Sequence, residues 1–172
     1  METSIKDVNN VDKLLNILKE LSNFEIHVGI LSGKADSKIL MIAHVNEYGW
    51  QIEVTDKMRK YLGATGLHLK KETDHITIPE RSFIRSGYDQ NKVKLEKLME
   101  NLLKKVIMSE ITVNQFTDQV GLYCVGFIQK FMTDLKSPAD HPYTIEKKGG
   151  KTNPLMDSGE LRQKITYEVV KK

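Results

Sequence analysis

Cysteine is nearly missing from this chain: Cys124 is the one thiol in 172 residues. A single cysteine cannot close an internal disulfide, which excludes a disulfide-stapled secreted scaffold. Proline and glycine are sparse, at 4 and 11 positions, which excludes fibrous and low-complexity architectures. No apolar run approaches the ~20 residues that a bilayer span needs. Residues Met1 to Asp7 have neither a basic region nor an apolar stretch, so no signal peptide is expected. Charge of one sign is lacking too: 26 Lys and Arg stand against 23 Asp and Glu, a formal net charge of +3. With 40% apolar residues, that small excess excludes a disordered chain and gives no compositional case for nucleic-acid binding. The expectation is a soluble protein made in a reducing compartment, with the length of one domain.

Hydropathy then orders the chain. Val11, Leu14, Leu15, Leu18 and Leu21 recur at helical spacing, with Asn9 or Asn10 as N-cap and Asn23 as stop. Phe24 to Ile30 alternates with period two and predicts a half-buried strand. A turn at Gly33–Ser37, with Ser37 as cap, leads into a helix over 38–48 that Gly49 ends. Residues 51–54 predict a strand and 56–62 a short helix. Residues 67–69 and 73–78 look like two arms of a hairpin, ended by Pro79. A helix is predicted over 93–108, and another from Thr112, where Thr112-Val113-Asn114-Gln115 has the form of a capping box. Gly121 and Gly126 within the second helix suggest close approach of another backbone. Residues 136–153 lack periodicity, a short helical turn falls near Leu161, and 165–170 predicts a closing strand. The fold class expected is α+β, a small curved mixed or antiparallel sheet packed on long α-helices in one domain over 1–172.

Enzyme signatures are absent: no G-x-S-x-G, Walker A, G-x-G-x-x-G, H-E-x-x-H or C-x-x-C occurs. His44 and Glu47 lie three apart on a predicted helix, but two metal ligands without a third do not make a site. His68 and His75 would face each other across the hairpin, and Cys124 sits on an apolar stripe as a small core residue. No catalytic residue, cofactor or metal is expected. Lysines and arginines cluster at Lys57, Arg59, Lys60, Lys70 and Lys71, and again at Lys147, Lys148 and Lys151. Such clusters form a solvated face by default, and they are the sole support for a small basic nucleic-acid-binding protein.

Four segments, in order, carry a resemblance. They are Ile26-His27-Val28-Gly29-Ile30-Leu31, then Ile42-Ala43-His44-Val45-Asn46-Glu47-Tyr48-Gly49, then Ile76-Thr77-Ile78-Pro79-Glu80-Arg81-Ser82-Phe83-Ile84-Arg85. The last runs from Pro142-Tyr143-Thr144-Ile145 through Lys147-Lys148-Gly149 and Pro154-Leu155-Met156-Asp157-Ser158-Gly159-Glu160-Leu161 to Ile165-Thr166-Tyr167. Over residues 24–170 the chain resembles the neck and tail-completion proteins of tailed bacteriophages, the head–tail joining and virion-morphogenesis types. The resemblance implies a curved sheet against a long helix and a homo-oligomeric ring, with a hexamer expected. It implies head-completion or connector proteins on one side, and a tail terminator or tail tube on the other. It also implies proximity to channel DNA, no membrane, a place in the virion neck, and assembly in the bacterial host cytoplasm. No cofactor and no catalytic residue carries over. A tail-terminator ring capping the tube is the alternative within this class.

The quoted residues have physical readings of their own. Gly49 would supply a left-handed helix end, and Glu47 would pair with a nearby base. Pro79 to Phe83 would form a corner between strand and helix, anchored by burial of Phe83 and Ile84. Arg81 and Arg85, four apart on the first turns, would meet a carboxylate within the subunit or across a ring interface. Asp157 or Ser158 would cap the short helix that holds Leu161, with Gly159 in the turn. Residues 54–71 and 136–153, the latter with Lys147 and Lys148, are expected as partner-docking arms. Phe83→Ala is predicted to cost roughly 3 kcal/mol or more, as for a buried aromatic; an unchanged chemical-denaturation midpoint would contradict that burial.

Overall fold

Two long helices carry the fold, and each starts where its sequence supplies a reason. The structure, a computed structural model, describes residues 11–172. The expected caps Asn9 and Asn10 lie outside the described residues. Helix α1 (Val11–Ser22) is followed directly by strand β1 (Phe24–Gly29). Helix α2 (Ser37–Tyr48) is capped by Asp36, not by Ser37: the Asp36 carboxylate accepts the Ile39 N–H at 2.8 Å. Strand β2 (Trp50–Glu53), helix α3 (Asp56–Ala64) and strand β3 (His75–Ile78) follow. Next come the long helices α4 (Phe83–Ile107) and α5 (Val113–Asp134), then α6 (Pro142–Lys147), α7 (Glu160–Gln163) and strand β4 (Thr166–Lys171).

The capping box of α5 forms as its residues suggest. The Thr112 hydroxyl accepts the Gln115 N–H at 3.1 Å, and the Gln115 side chain accepts the Thr112 N–H at 2.9 Å. The apolar stripe of α5 packs on α4, and Phe83, Met132 and Val106 are the largest fully buried side chains. Gly87 allows the close approach: a Cβ there would lie 3.6 Å from the Ile128 Cα. The helix expected from Val93 therefore begins already at Phe83. Gly87 costs helix propensity, but it lies at the contact with α5, where packing outweighs about 1 kcal/mol of propensity.

The α+β class is the observed one, with the strands in two antiparallel pairs rather than one sheet. Strand β1 pairs with β4, Phe24 opposite Lys171 and Gly29 opposite Thr166, and this pair packs on α5. Phe24, Ile26 and Val28 alternate inward as period two requires. Strand β2 pairs with β3, Trp50 opposite Ile78 and Ile52 opposite Ile76. Residues 67–69 are not a strand, so the expected hairpin does not form, and His75 stands opposite Glu53 rather than His68. The reason is Arg59, whose guanidinium takes the carbonyls of Lys70 at 2.7 Å and Thr73 at 2.6 Å. Those acceptors are occupied by a side chain and not by a ladder. The segment expected to be irregular contains α6, which opens with His141 as N-cap and Pro142 in its first turn. Gly159, at φ 84°, is the N-cap of α7 and makes no side-chain cap bond, while the Ser158 hydroxyl accepts the Glu160 N–H at 3.3 Å. Among the described residues no helix is long and apolar enough to cross a membrane.

Of the two glycines in α5, only Gly121 meets another element. Its bare face receives the Tyr167 ring from β4, and a Cβ built there would lie 2.3 Å from the ring. At Gly126 a Cβ would meet nothing within 4 Å. Alanine at Gly126 is therefore predicted to add up to ~1 kcal/mol through helix propensity. Alanine at Gly121 must displace a ring, and overpacking of about 1–3 kcal/mol outweighs the same gain. Urea midpoints should move in opposite directions for the two variants.

Candidate functional site

Two of the four segments that carry the resemblance, 42–49 and 76–85, meet at the corner where α2 ends and α4 begins. Glu47, in the last turn of α2, is a carboxylate only 4% exposed. It accepts the backbone N–H of Ile84 at 2.9 Å and that of Arg85 at 3.0 Å. These donors lie in the first turn of α4, where a helix has no internal acceptors. Ser82, the N-cap of α4, makes no side-chain cap bond, so Glu47 caps the helix from another element. The negative charge also sits at the positive end of the α4 dipole.

Arg85 closes the arrangement. Its Nε donates to the Glu47 carboxylate at 3.1 Å, and Nη2 donates to the Glu47 carbonyl and to Glu80 at 2.9 Å. Its guanidinium lies 4.6 Å from the centre of the Tyr48 ring. The hydrogen bond to Glu47, first among these contacts, holds the Arg85 guanidinium above its ordinary pKa. Gly49 follows α2 at φ 71°, where a Cβ would lie 3.0 Å from the Glu80 nitrogen. Beyond Gly49 the chain leaves along β2, and Pro79 brings it back from β3 beside the same point.

Arg81 has a different carboxylate. It precedes α4 and does not share its first turns with Arg85. Its backbone N–H donates to the Asn46 carbonyl at 2.6 Å. Its side chain, 6% exposed, donates from Nε to Pro138 O at 2.9 Å and from Nη2 to Asp140 at 2.9 Å. Burial pulls the Arg81 guanidinium below its ordinary pKa, with Asp140 opposing. The other Asp140 oxygen accepts from Lys148 at 2.8 Å, and Lys148 also donates to the Asn153 carbonyl at 2.6 Å. The Asn153 side-chain amide in turn donates to the carbonyls of Met132 at 3.1 Å and Thr133 at 2.8 Å, in the last turn of α5. Side chains thus tie residues 138–153 to Arg81, just before α4, and to the last turn of α5.

The remaining sequence-selected residues lie apart from the corner. Lys147 is exposed, with its Nζ 5.3 Å from the centre of the Tyr143 ring. Leu161 is buried, Gly159 is half-buried and Asp157 is exposed. Lys148 belongs to the buried network and not to a solvated basic face, and Lys151 donates to the Asp157 carbonyl at 2.7 Å. The two expected arms also touch: the Tyr143 hydroxyl donates to the Thr65 hydroxyl at 2.8 Å. His44 does not join Glu47 but stacks near Tyr48 and Trp50, with centroids at 4.9 and 6.3 Å. Among the described residues no group of three or more His, Cys, Asp or Glu side chains is placed to hold a metal. Cys124 is buried, and burial pushes its thiol up to about 11, so it is no thiolate at neutral pH.

Beside the corner lies a mostly apolar cleft of about 1130 Å³ between α2, the β2–β3 ribbon and the segment 139–161. Met41, Ile42 and Val45 line it from α2, and Trp50, Ile52 and Ile76 from the ribbon. Met41 and Trp50 are 60% and 53% exposed, so this cleft is open. A second crevice of about 630 Å³ runs between α4, α5 and β1 and is walled mostly by core side chains.

Asp140, Asn153 and Trp50 escaped sequence reasoning. Their partners lie far along the chain, and a lone acid or amide in an aperiodic stretch carries no local signal. No protein-family model, no curated protein and no solved structure matches this chain. Asp140→Ala leaves two buried cations without their carboxylate and is predicted to destabilise by about 3–5 kcal/mol. The exposed control Asp157→Ala should stay within ~0.5 kcal/mol. Equal denaturation midpoints for the two variants would contradict a structural role for the Arg81–Asp140–Lys148 network.

Proposed function

We propose that the chain is a structural subunit of the tailed-phage virion neck, a tail-completion or head–tail connector protein that acts as a homo-oligomeric ring, expected to be a hexamer. The observation that carries this reading is the meeting of two of the four resembling segments. Glu47 and Gly49 from one, and Pro79, Arg81, Phe83 and Arg85 from another, build a single corner. A motif whose polar atoms bond one another is the pattern of an architectural element rather than of a reaction centre. The ring would meet a head-completion or connector protein on one side and a tail terminator or tail tube on the other, close to channel DNA. A tail-terminator ring is the second reading within the same class.

The basic surface offers less support for a nucleic-acid binder than the lysine and arginine clusters suggested. Arg59 and Lys148, each in one of the two clusters, are engaged within the fold. That rival predicts retention of DNA on a filter that persists at moderate salt.

Electron micrographs of particles lacking the chain test the proposal. Full heads beside unjoined tails are the expected outcome, and tails of uncontrolled length would move the subunit to the terminator position. Normally joined particles would overturn the neck assignment.

A further inference from the structure

Helix α1 shows the surface that needs explaining. It has no buried residue. Ile17 and Leu21, at one edge of its apolar arc, pack on the core. Leu14, Leu15 and Leu18, at the centre of that arc, stay 38%, 56% and 49% exposed. A helix of this length is marginal in water without burial of its apolar face, and here the middle of that face points away from its own subunit.

The cleft beside the corner has the complementary shape and chemistry. The β2–β3 ribbon has four residues in each strand, and a two-stranded ribbon of this kind needs further packing. Its apolar side faces α2 across the cleft, which residues 139–161 wall on a third side and whose 1130 Å³ exceeds the ~300–1,000 Å³ of small-molecule sites. The apolar face of a helix lying in a groove is the recurring way to fill such a space. Helix α1 lines no part of the cleft and packs instead on α4 and α5, so it does not fill the cleft of its own chain.

Charges of both signs flank the leucine face and border the cleft. Asp12 and Lys19 fall on one flank of the leucine face, two helical turns apart. Neither takes part in an ion pair among the described residues. The cleft is bordered by Lys38 and Glu160, which are likewise exposed and without ion pairs.

We propose that Leu14, Leu15 and Leu18 of one copy seat in the α2/β2–β3 cleft of a second copy of this chain. Donor and acceptor surfaces differ, so the contact is head-to-tail and propagates around a ring or along a filament. The three leucines uncover on the order of 150 Å² between them, well under the ~800 Å² per partner of a standard interface. A single pair is therefore weak, and closure of the ring strengthens it. This deepens the ring reading above by naming its contact.

The test mixes two variants of the purified full chain, with light scattering as readout and circular dichroism as the check on folding. Leu14→Glu/Leu18→Glu removes the donor face, and Met41→Glu/Trp50→Glu blocks the cleft; all four side chains are exposed. Wild type should associate with rising concentration, and each variant alone should stay monomeric. An equimolar mixture should form dimers and nothing larger, because one sound donor meets one sound cleft. A wild-type chain that stays monomeric at millimolar concentration overturns the proposal. So does undiminished association of the folded cleft variant, which would mark pairing of α1 with α1 or exchange into the crevice. Failure of the neck assignment would show separately, as joined particles without the chain, and would leave the association of the purified protein untouched.

Discussion

A helix that begins inside a protein needs acceptors for its first N–H groups, and α4 takes its acceptor from α2. The Glu47 carboxylate fixes how far α2 can slide and turn relative to α4, because two backbone donors and one guanidinium converge on it. The β2–β3 ribbon leaves from Gly49 and returns through Pro79 into the same corner, so its placement follows from that one cap. The mouth of the apolar cleft, framed by α2 and the ribbon, is set by it as well.

The Arg81–Asp140–Lys148 network works by a different balance. Two cations share one carboxylate in a place where their side chains are at most 10% exposed. Coulomb attraction alone barely offsets the cost of removing such charges from water. Here backbone carbonyls of Pro138, Ala139 and Asn153 take the remaining donors, so the charges are both paired and hydrogen-bonded. The gain is positional: a stretch without periodicity is held in one course between the end of α2 and the end of α5.

The features legible in the sequence are those whose cause is local. The Thr112–Gln115 box, the alternation over β1 and the burial of Phe83 all follow from neighbours within a few residues. Glu47 was legible as a carboxylate in need of a base and Arg85 as a base in need of a carboxylate, but neither as the other's partner nor Glu47 as the cap of a helix. Asp140 and Asn153 were invisible, because their partners lie up to 59 and 21 positions away in the chain. The second strand pair was misassigned for a similar reason. Whether β3 meets 67–69 or β2 depends on Arg59, whose guanidinium reaches 11 and 14 residues onward for carbonyl partners. Periodicity reports which face of a segment is apolar, and it carries no information about which distant side chain will claim its backbone.

The pairing of β1 with β4 sets the order of events during synthesis. Phe24 lies opposite Lys171, so β1 has no partner strand until β4 has left the ribosome. Until then β1 presents Phe24, Ile26 and Val28 with no strand beside them, on a chain whose long helices can already form. Loop closure of this length is slow and comes late. Tyr167 then settles on Gly121 and donates to Asp118 at 3.0 Å, fastening the returning strand to α5. Chains truncated before this point lack the clasp and keep an open strand edge. The edge of β1 is thereby closed only by a strand made more than a hundred residues later.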